Sequence, residues 1–223
     1  MRSFVAVALI ALLVSCTGAK PAASPAPTDD AGRARLLVLT QSDLPEGWHS
    51  SPHTADPVSD REDRKLATCA GAPDPTTSQT ADVFSDVFGQ GAQRVSSEAV
   101  FLRTQSLANK AVAALKGARA IPCAKASVLP VLKEQLRKQG LNATIRSITV
   151  TRGTLGVRGF VSAFRIVMTI AAAGTAVTIH EDVVVLARGR VQARATFLDV
   201  GVAFSPAFEL SLVKKLSGKL FTA

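Results

Sequence analysis

Two rhythms of apolar and polar positions run along the chain from residue 31 onward, one with a period near 3.6 and one of 2. The first marks helices with a buried stripe, the second strands with a buried face. Residues 31–39 open with a short helix that Asp29 or Asp30 can cap, with Leu36, Leu37 and Leu39 as its apolar contacts. The turn-rich stretch 40–48 follows, with Leu44 and Trp48 as plugs into the body. A second short helix covers 59–69, its first turn enriched in Asp60, Glu62 and Asp63. Gly71, Pro73 and Pro75 then break the chain. Strands are predicted over 81–88 and 94–103, joined as a hairpin through Gly89-Gln90-Gly91. Thr104 caps a helix over 105–116, whose Leu107, Ala111, Ala114 and Leu115 make the stripe of a helix lying flat on a sheet. Cys123 falls in the connection to a helix over 127–139, with Leu129, Leu132 and Leu136 on one stripe and Lys133, Arg137 and Lys138 on a solvated face.

The second half alternates with period 2. Four strands are predicted, over 143–152, 158–171, 175–187 and 190–200, with Gly174 and Arg188-Gly189 marking tight connections. In the last, Val191, Ala193, Ala195 and Phe197 face one way and Gln192, Arg194 and Thr196 the other, the pattern of an antiparallel sheet with one wetter face. Ser205-Pro206 starts a C-terminal helix to about Leu220, with Val213, Leu216 and Leu220 buried. Hairpin-joined strands with helices between and after them give a single α+β domain, an antiparallel sheet with flanking helices on one or both sides.

The N-terminus follows neither rhythm. Arg2 precedes an apolar run over 4–14, the length of a signal-peptide core and too short to span a bilayer. The run ends in Leu13-Val14-Ser15-Cys16, which resembles a bacterial lipobox. That resemblance implies cleavage after residue 15 and acyl chains on Cys16, which would hold the protein to the extracytoplasmic face of the cell membrane. Residues 16–30, with Pro21, Pro25 and Pro27, then form an extended tether, and 31–223 form the domain. The alternative is an ordinary signal peptide with an incidental cysteine.

Loss of residues 1–15 lowers the formal charge only from +9 to +8, since Arg2 is the sole charge removed. A basic surface suits anionic lipids, wall polymers or acidic partners, or solubility alone. The charges are scattered, Trp48 is the only tryptophan and there is no tyrosine, so no nucleic-acid platform is expected. Cys69 and Cys123 remain after Cys16. In an oxidising compartment such a pair reads as a disulfide; two buried free thiols are the competing reading.

Residues 36–48, Leu-Leu-Val-Leu-Thr-Gln-Ser-Asp-Leu-Pro-Glu-Gly-Trp, resemble the opening motif of many actinobacterial cell-envelope lipoproteins. Cys69, the strand with Ser97, Glu98 and Phe101, the Ala-rich stretch 108–115 and Cys123 extend the likeness to a group related to the extracellular sensor domain of mycobacterial PknH-type receptor kinases. The resemblance implies an antiparallel sheet flanked by helices around a cleft, ligand sensing or binding, and no enzymatic chemistry. This chain departs from the group in offering one cysteine pair where the kinase sensor has two disulfides, and it has no kinase domain.

No hydrolase, P-loop or zinc motif occurs in the chain, and no cofactor is expected. His49 and His53, with Asp56 and Asp60 downstream, have metal-ligand spacing only on a helix, which Ser50-Ser51-Pro52 disfavours, so a surface loop is expected. His180 lies mid-strand and reads as a satisfied sheet histidine or a pH-responsive group. Glu98, Glu181 and Asp182 are strand carboxylates, read as ion-pair partners of Arg103, Arg165 or Arg194 rather than a glycosidase pair. Arg146, Arg165 and Arg194 would line an anion-binding stripe if their strands are adjacent. Two functions follow as expectations: a non-catalytic module binding an anionic or apolar envelope ligand, or an adaptor for another envelope protein. A pocket between the sheet and the Leu129, Leu132, Leu136 helix would favour the first.

Overall fold

The computed structural model describes residues 29–138, 140, 143–172 and 175–222. The expected signal peptide, Cys16 and the expected tether up to residue 28 lie outside the described residues, as do Gln139 and Gly174. The described elements are α1 (Asp30–Arg35), β1 (His49–Ser51), α2 (Pro57–Ala70), α3 (Pro75–Ser78), β2 (Gln79–Phe84), β3 (Val87–Gln90), β4 (Gln93–Leu102) and α4 (Gln105–Lys116). They continue as α5 (Ala120–Lys138), β5 (Ala143–Gly153), β6 (Phe160–Ala172), β7 (Thr175–Arg188), β8 (Val191–Val200) and α6 (Pro206–Thr222). Among them, eight strands form one antiparallel sheet in the order β1-β3-β4-β8-β7-β6-β5, with β2 also on β4. The architecture is the expected α+β single domain.

The predicted strand over 81–88 is two strands. β2 and β3 lie end to end on one edge of β4, and the break falls at Ser85-Asp86. Ser85 bridges it with polar groups: its amide donates to Ser97 O at 2.8 Å and its hydroxyl accepts from Ser97 N at 2.8 Å. The hairpin turn is Gly91-Ala92, because Gln90 pairs with Gln93, and Gly91 takes a left-handed φ of 57°. The helix placed over 127–139 begins at Ala120, so Cys123 is helical rather than in a connection. Pro122 fits its first turn, and Pro130 removes one internal amide without ending it.

Sheet parity divides the side chains into two faces. One carries Val95, Ala99 and Phe101 of β4 opposite Phe197, Ala193 and Val191 of β8, all buried. Helix α6 covers this face with Leu212, Val213, Leu216 and Leu220, spaced one and two turns apart. Trp48 fills the adjoining space, stacked on Phe208 at 5.3 Å and on Phe204 at 6.3 Å. Leu37, Leu39 and Leu44 are buried beside it, but Leu36 is 52% exposed and does not make the contact expected of it.

The motif at 36–48 is therefore a structural plug. Asp43 ties its turn by accepting from Thr40 N at 2.8 Å and from Lys219 Nζ of α6 at 2.6 Å. Leu39 N donates to the buried Ser97 hydroxyl at 2.7 Å.

Candidate functional site

The opposite face is the wetter one in sequence, yet it is roofed rather than open. Helices α2, α4 and α5 lie over it. Asp56 caps α2 by accepting from Val58 N at 3.1 Å, and Gly71 ends it with φ 78°. Two links fasten α2 to α5. At the start of α2, Asp56 Oδ1 takes Lys138 Nζ at 3.2 Å; near its end, the Cys69–Cys123 disulfide closes a separation of 54 residues. The pair is antiparallel and is tied near both ends.

Beyond the link, α5 packs normally onto the sheet. Leu132 is buried with Val150, Ile166, Met168 and Ile170, and Leu136 packs against them. Near the disulfide the packing changes. The roof presents Ala67 and Ala70 from α2, Ala111 and Ala114 from α4, and Ala120 and Ala124 from α5. These side chains stop one carbon past the backbone, and a cavity of about 650 Å³ opens beneath them. That volume lies in the range of small-molecule sites, roughly 300–1,000 Å³. Its floor is Val100, Phe164, Ile166, Val183 and Val185, with Leu115 and Val128 at the sides.

The apolar floor surrounds a charged centre. Glu98 of β4 faces Arg194 of β8 across the ladder, and Arg194 Nη2 donates to Glu98 Oε2 at 2.5 Å. Three further carboxylates lie around this pair: Asp82 from β2, Glu181 from β7 and Asp63 from α2. Asp60 and Arg64 of α2 also line the cavity. Burial, and then the charge and hydrogen bond of Glu98, push Asp82 up to about 8. Asp82 and Asp63 are nonetheless open to water in the cavity, which damps the energy of these shifts. Burial also raises Asp63 and Glu181, of which Glu181 is the more enclosed. The Glu98 charge holds Arg194 above its ordinary value. Gln192, also in the lining, has a buried side-chain nitrogen without a hydrogen-bond partner among the described residues.

The three arginines grouped by alternation do not form a stripe. Arg165 is on the α6 side, bound to Asp182 through Nε at 2.8 Å and Nη2 at 3.1 Å. Arg194 is on the cavity side, and Arg146 sits exposed at an irregularity in β5, between Ile145 and Ser147. Likewise Glu98 and Glu181 share the cavity face while Asp182 points to the other. The ion pairs expected for Glu98 and Asp182 form with Arg194 and Arg165. His49 lies in β1, His53 stacks on Phe84 at 4.2 Å, and His180 is paired in register with Val167 and Asp199. Among the described residues, no three His, Cys, Asp or Glu side chains are grouped to hold a metal ion. Nor is any helix among them long and apolar enough to cross a membrane.

Asp82 went unnoticed as a site residue in sequence. Its signal was an aspartate inside a β-rich run, where that residue type is depleted.

No family model matches the chain, and no curated protein matches it. The chain is similar to the crystal structure of the extracellular domain of PknH from Mycobacterium tuberculosis, at 11% identity and a TM-score of 0.41, covering 86% of this chain and 96% of that one. It is also similar to the structure of LpqN, involved in cell envelope biogenesis of Mycobacterium tuberculosis, at 11% identity and a TM-score of 0.29, covering 79% of this chain and 76% of that one.

Proposed function

We propose that this chain is a non-catalytic ligand-binding module of the cell envelope, held to the extracytoplasmic face of the membrane by lipid on Cys16. The observation that carries the binding reading is the cavity of about 650 Å³ between the sheet and its helical roof. An apolar lining with a few convergent polar groups is the usual make-up of a small-molecule site. The anchor reading rests on the N-terminal run that ends at Cys16.

Native mass spectrometry of the chain extracted from its own membrane tests the binding reading. The expected result is a non-covalently held small molecule that disappears in Ala111→Phe, where the ring fills the cavity. A chain that carries no small molecule but retains a partner protein would replace this reading with that of an adaptor. The anchor is tested separately by detergent phase partitioning, in which the wild type enters the detergent phase. A Cys16→Ala chain that still does so after signal removal rules the lipid out.

A further inference from the structure

The cavity has a sign as well as a shape. Every charged group that lines it can be assigned to an element: Asp60, Asp63 and Arg64 on α2, Asp82 on β2, Glu98 on β4, Glu181 on β7 and Arg194 on β8. Helices α4 and α5 contribute none. Arg194 is taken by Glu98. Glu181 lines the cavity from the middle of a central strand, and no hydrogen bond or ion pair holds it among the described residues. An enclosed carboxylate without a partner is costly unless a cation or a proton reaches it. Around this acidic centre α4 lines the cavity with apolar groups alone, Ala111, Ala114 and Leu115, while the uncharged polar groups come from Ser127 of α5, Thr76 and Ser78 of α3, Gln79 of β2 and Gln192 of β8.

Resting on the reading of this cavity as a ligand site, we propose that it takes a cationic amphiphile. The aliphatic body lies under the alanines of α2, α4 and α5. An organic ammonium head sits among Asp63, Asp82, Glu98 and Glu181. The ammonium supplies positive charge that a lining of five carboxylates and two guanidiniums, Arg64 and Arg194, lacks. The raised proton affinities of Asp63, Asp82 and Glu181 agree with this, since burial disfavours the charged form of each and a cation beside it would restore that form. A cation binds the charged form of these groups best, Asp82 among them, so affinity rises with pH.

The test uses the full chain in phosphatidylcholine nanodiscs, with empty nanodiscs as the blank. Octyltrimethylammonium, octanoate and octyl glucoside are titrated calorimetrically at pH 6.5 and 9. The expected result is that octyltrimethylammonium binds about tenfold tighter than either other probe at pH 9, a preference of one factor of ten in Kd. That preference weakens at pH 6.5 and in the Asp82→Asn, Glu181→Gln double variant, and Ala111→Phe loses all three probes. Thermal unfolding of the double variant beside the wild type at pH 6.5 and 9 separates a fold defect from a lost charge. Tighter binding of octanoate or octyl glucoside, or a wild-type affinity for the ammonium that is flat in pH, overturns the cationic assignment and leaves the cavity as a site. If no probe binds the wild type in a way that Ala111→Phe abolishes, the reading of the cavity as a ligand site falls as well.

Discussion

Glu209 is a carboxyl group in the wrong place for a charge, and its removal has a calculable signature. It lies in the first turn of α6, is only 6% exposed, and its Oε1 atom is buried without a hydrogen-bond partner among the described residues. Burial first, and then the neighbouring Asp182 charge, push it up to about 7. Arg165 Nη2, at 4.0 Å, opposes this but is already engaged by Asp182. The folded state therefore holds a proton that the unfolded chain releases near 4.5. A raised acid stabilises the fold below the unfolded value and loses that contribution as pH climbs through the folded one, so the window is pH 4.5 to 7. At about 1.4 kcal/mol per factor of ten in proton affinity, the loss between pH 5 and 8 is about 2–3 kcal/mol. Glu209→Gln keeps the shape and a donor for Asp182 but cannot ionise. Urea unfolding of both proteins at pH 5, 6, 7 and 8 isolates the effect as a difference, because Asp63, Asp82 and Glu181 slope the same way in both. The variant should match the wild type at pH 5 and exceed it by about 2–3 kcal/mol at pH 8, or roughly 4–12 °C in Tm. Parallel curves, with a gap that shifts by less than about 0.5 kcal/mol, would refute the assignment of a buried, protonated Glu209.

Three further outcomes are expected. Replacing Cys69 and Cys123 with alanine frees a loop whose ends are 54 residues apart, and should cost about 4 kcal/mol in urea unfolding; it should also speed amide exchange in α2, which the link fastens to α5. Leu216→Ala removes a fully buried side chain between α6 and the sheet and should cost about 2–5 kcal/mol, read from the urea midpoint at constant m. Gly159 has φ 78°, and an added Cβ would lie 2.8 Å from Phe221 Cε2 and 3.1 Å from Ala187 O, so Gly159→Ala should lower stability by about 1–3 kcal/mol in the same assay.

The alternation along β8 carried its meaning without help. Val191, Ala193, Ala195 and Phe197 are buried on one face because a strand's side chains alternate with a period of 2 whatever lies beside it. The stripe at Val213, Leu216 and Leu220 was equally local, since helical periodicity places those residues together before any sheet is present. The helix cap at Thr104 and the glycine turn at Gly189 belong to the same class. Elements that depend on packing were less legible. Ser85 breaks a β-rich run only because its hydroxyl stands in for a ladder bond to Ser97. The start of α5 at Ala120 is held by burial of Ala120 and Cys123.

Sequence alone determined the α+β class and the antiparallel hairpins, because periodicity and turn chemistry are properties of short stretches, while the structure decided for the disulfide over free thiols at Cys69 and Cys123. It also determined which residues were available for charge. Tertiary structure decided which charges meet. Arg165 and Arg194 look alike along their strands, yet strand parity and register send one to Asp182 under α6 and the other to Glu98 beneath the helical roof. The cavity is likewise a property of three helices at once: alanines on α2, α4 and α5 are unremarkable singly, and leave a space only when the Cys69–Cys123 link and the sheet set them over the same floor.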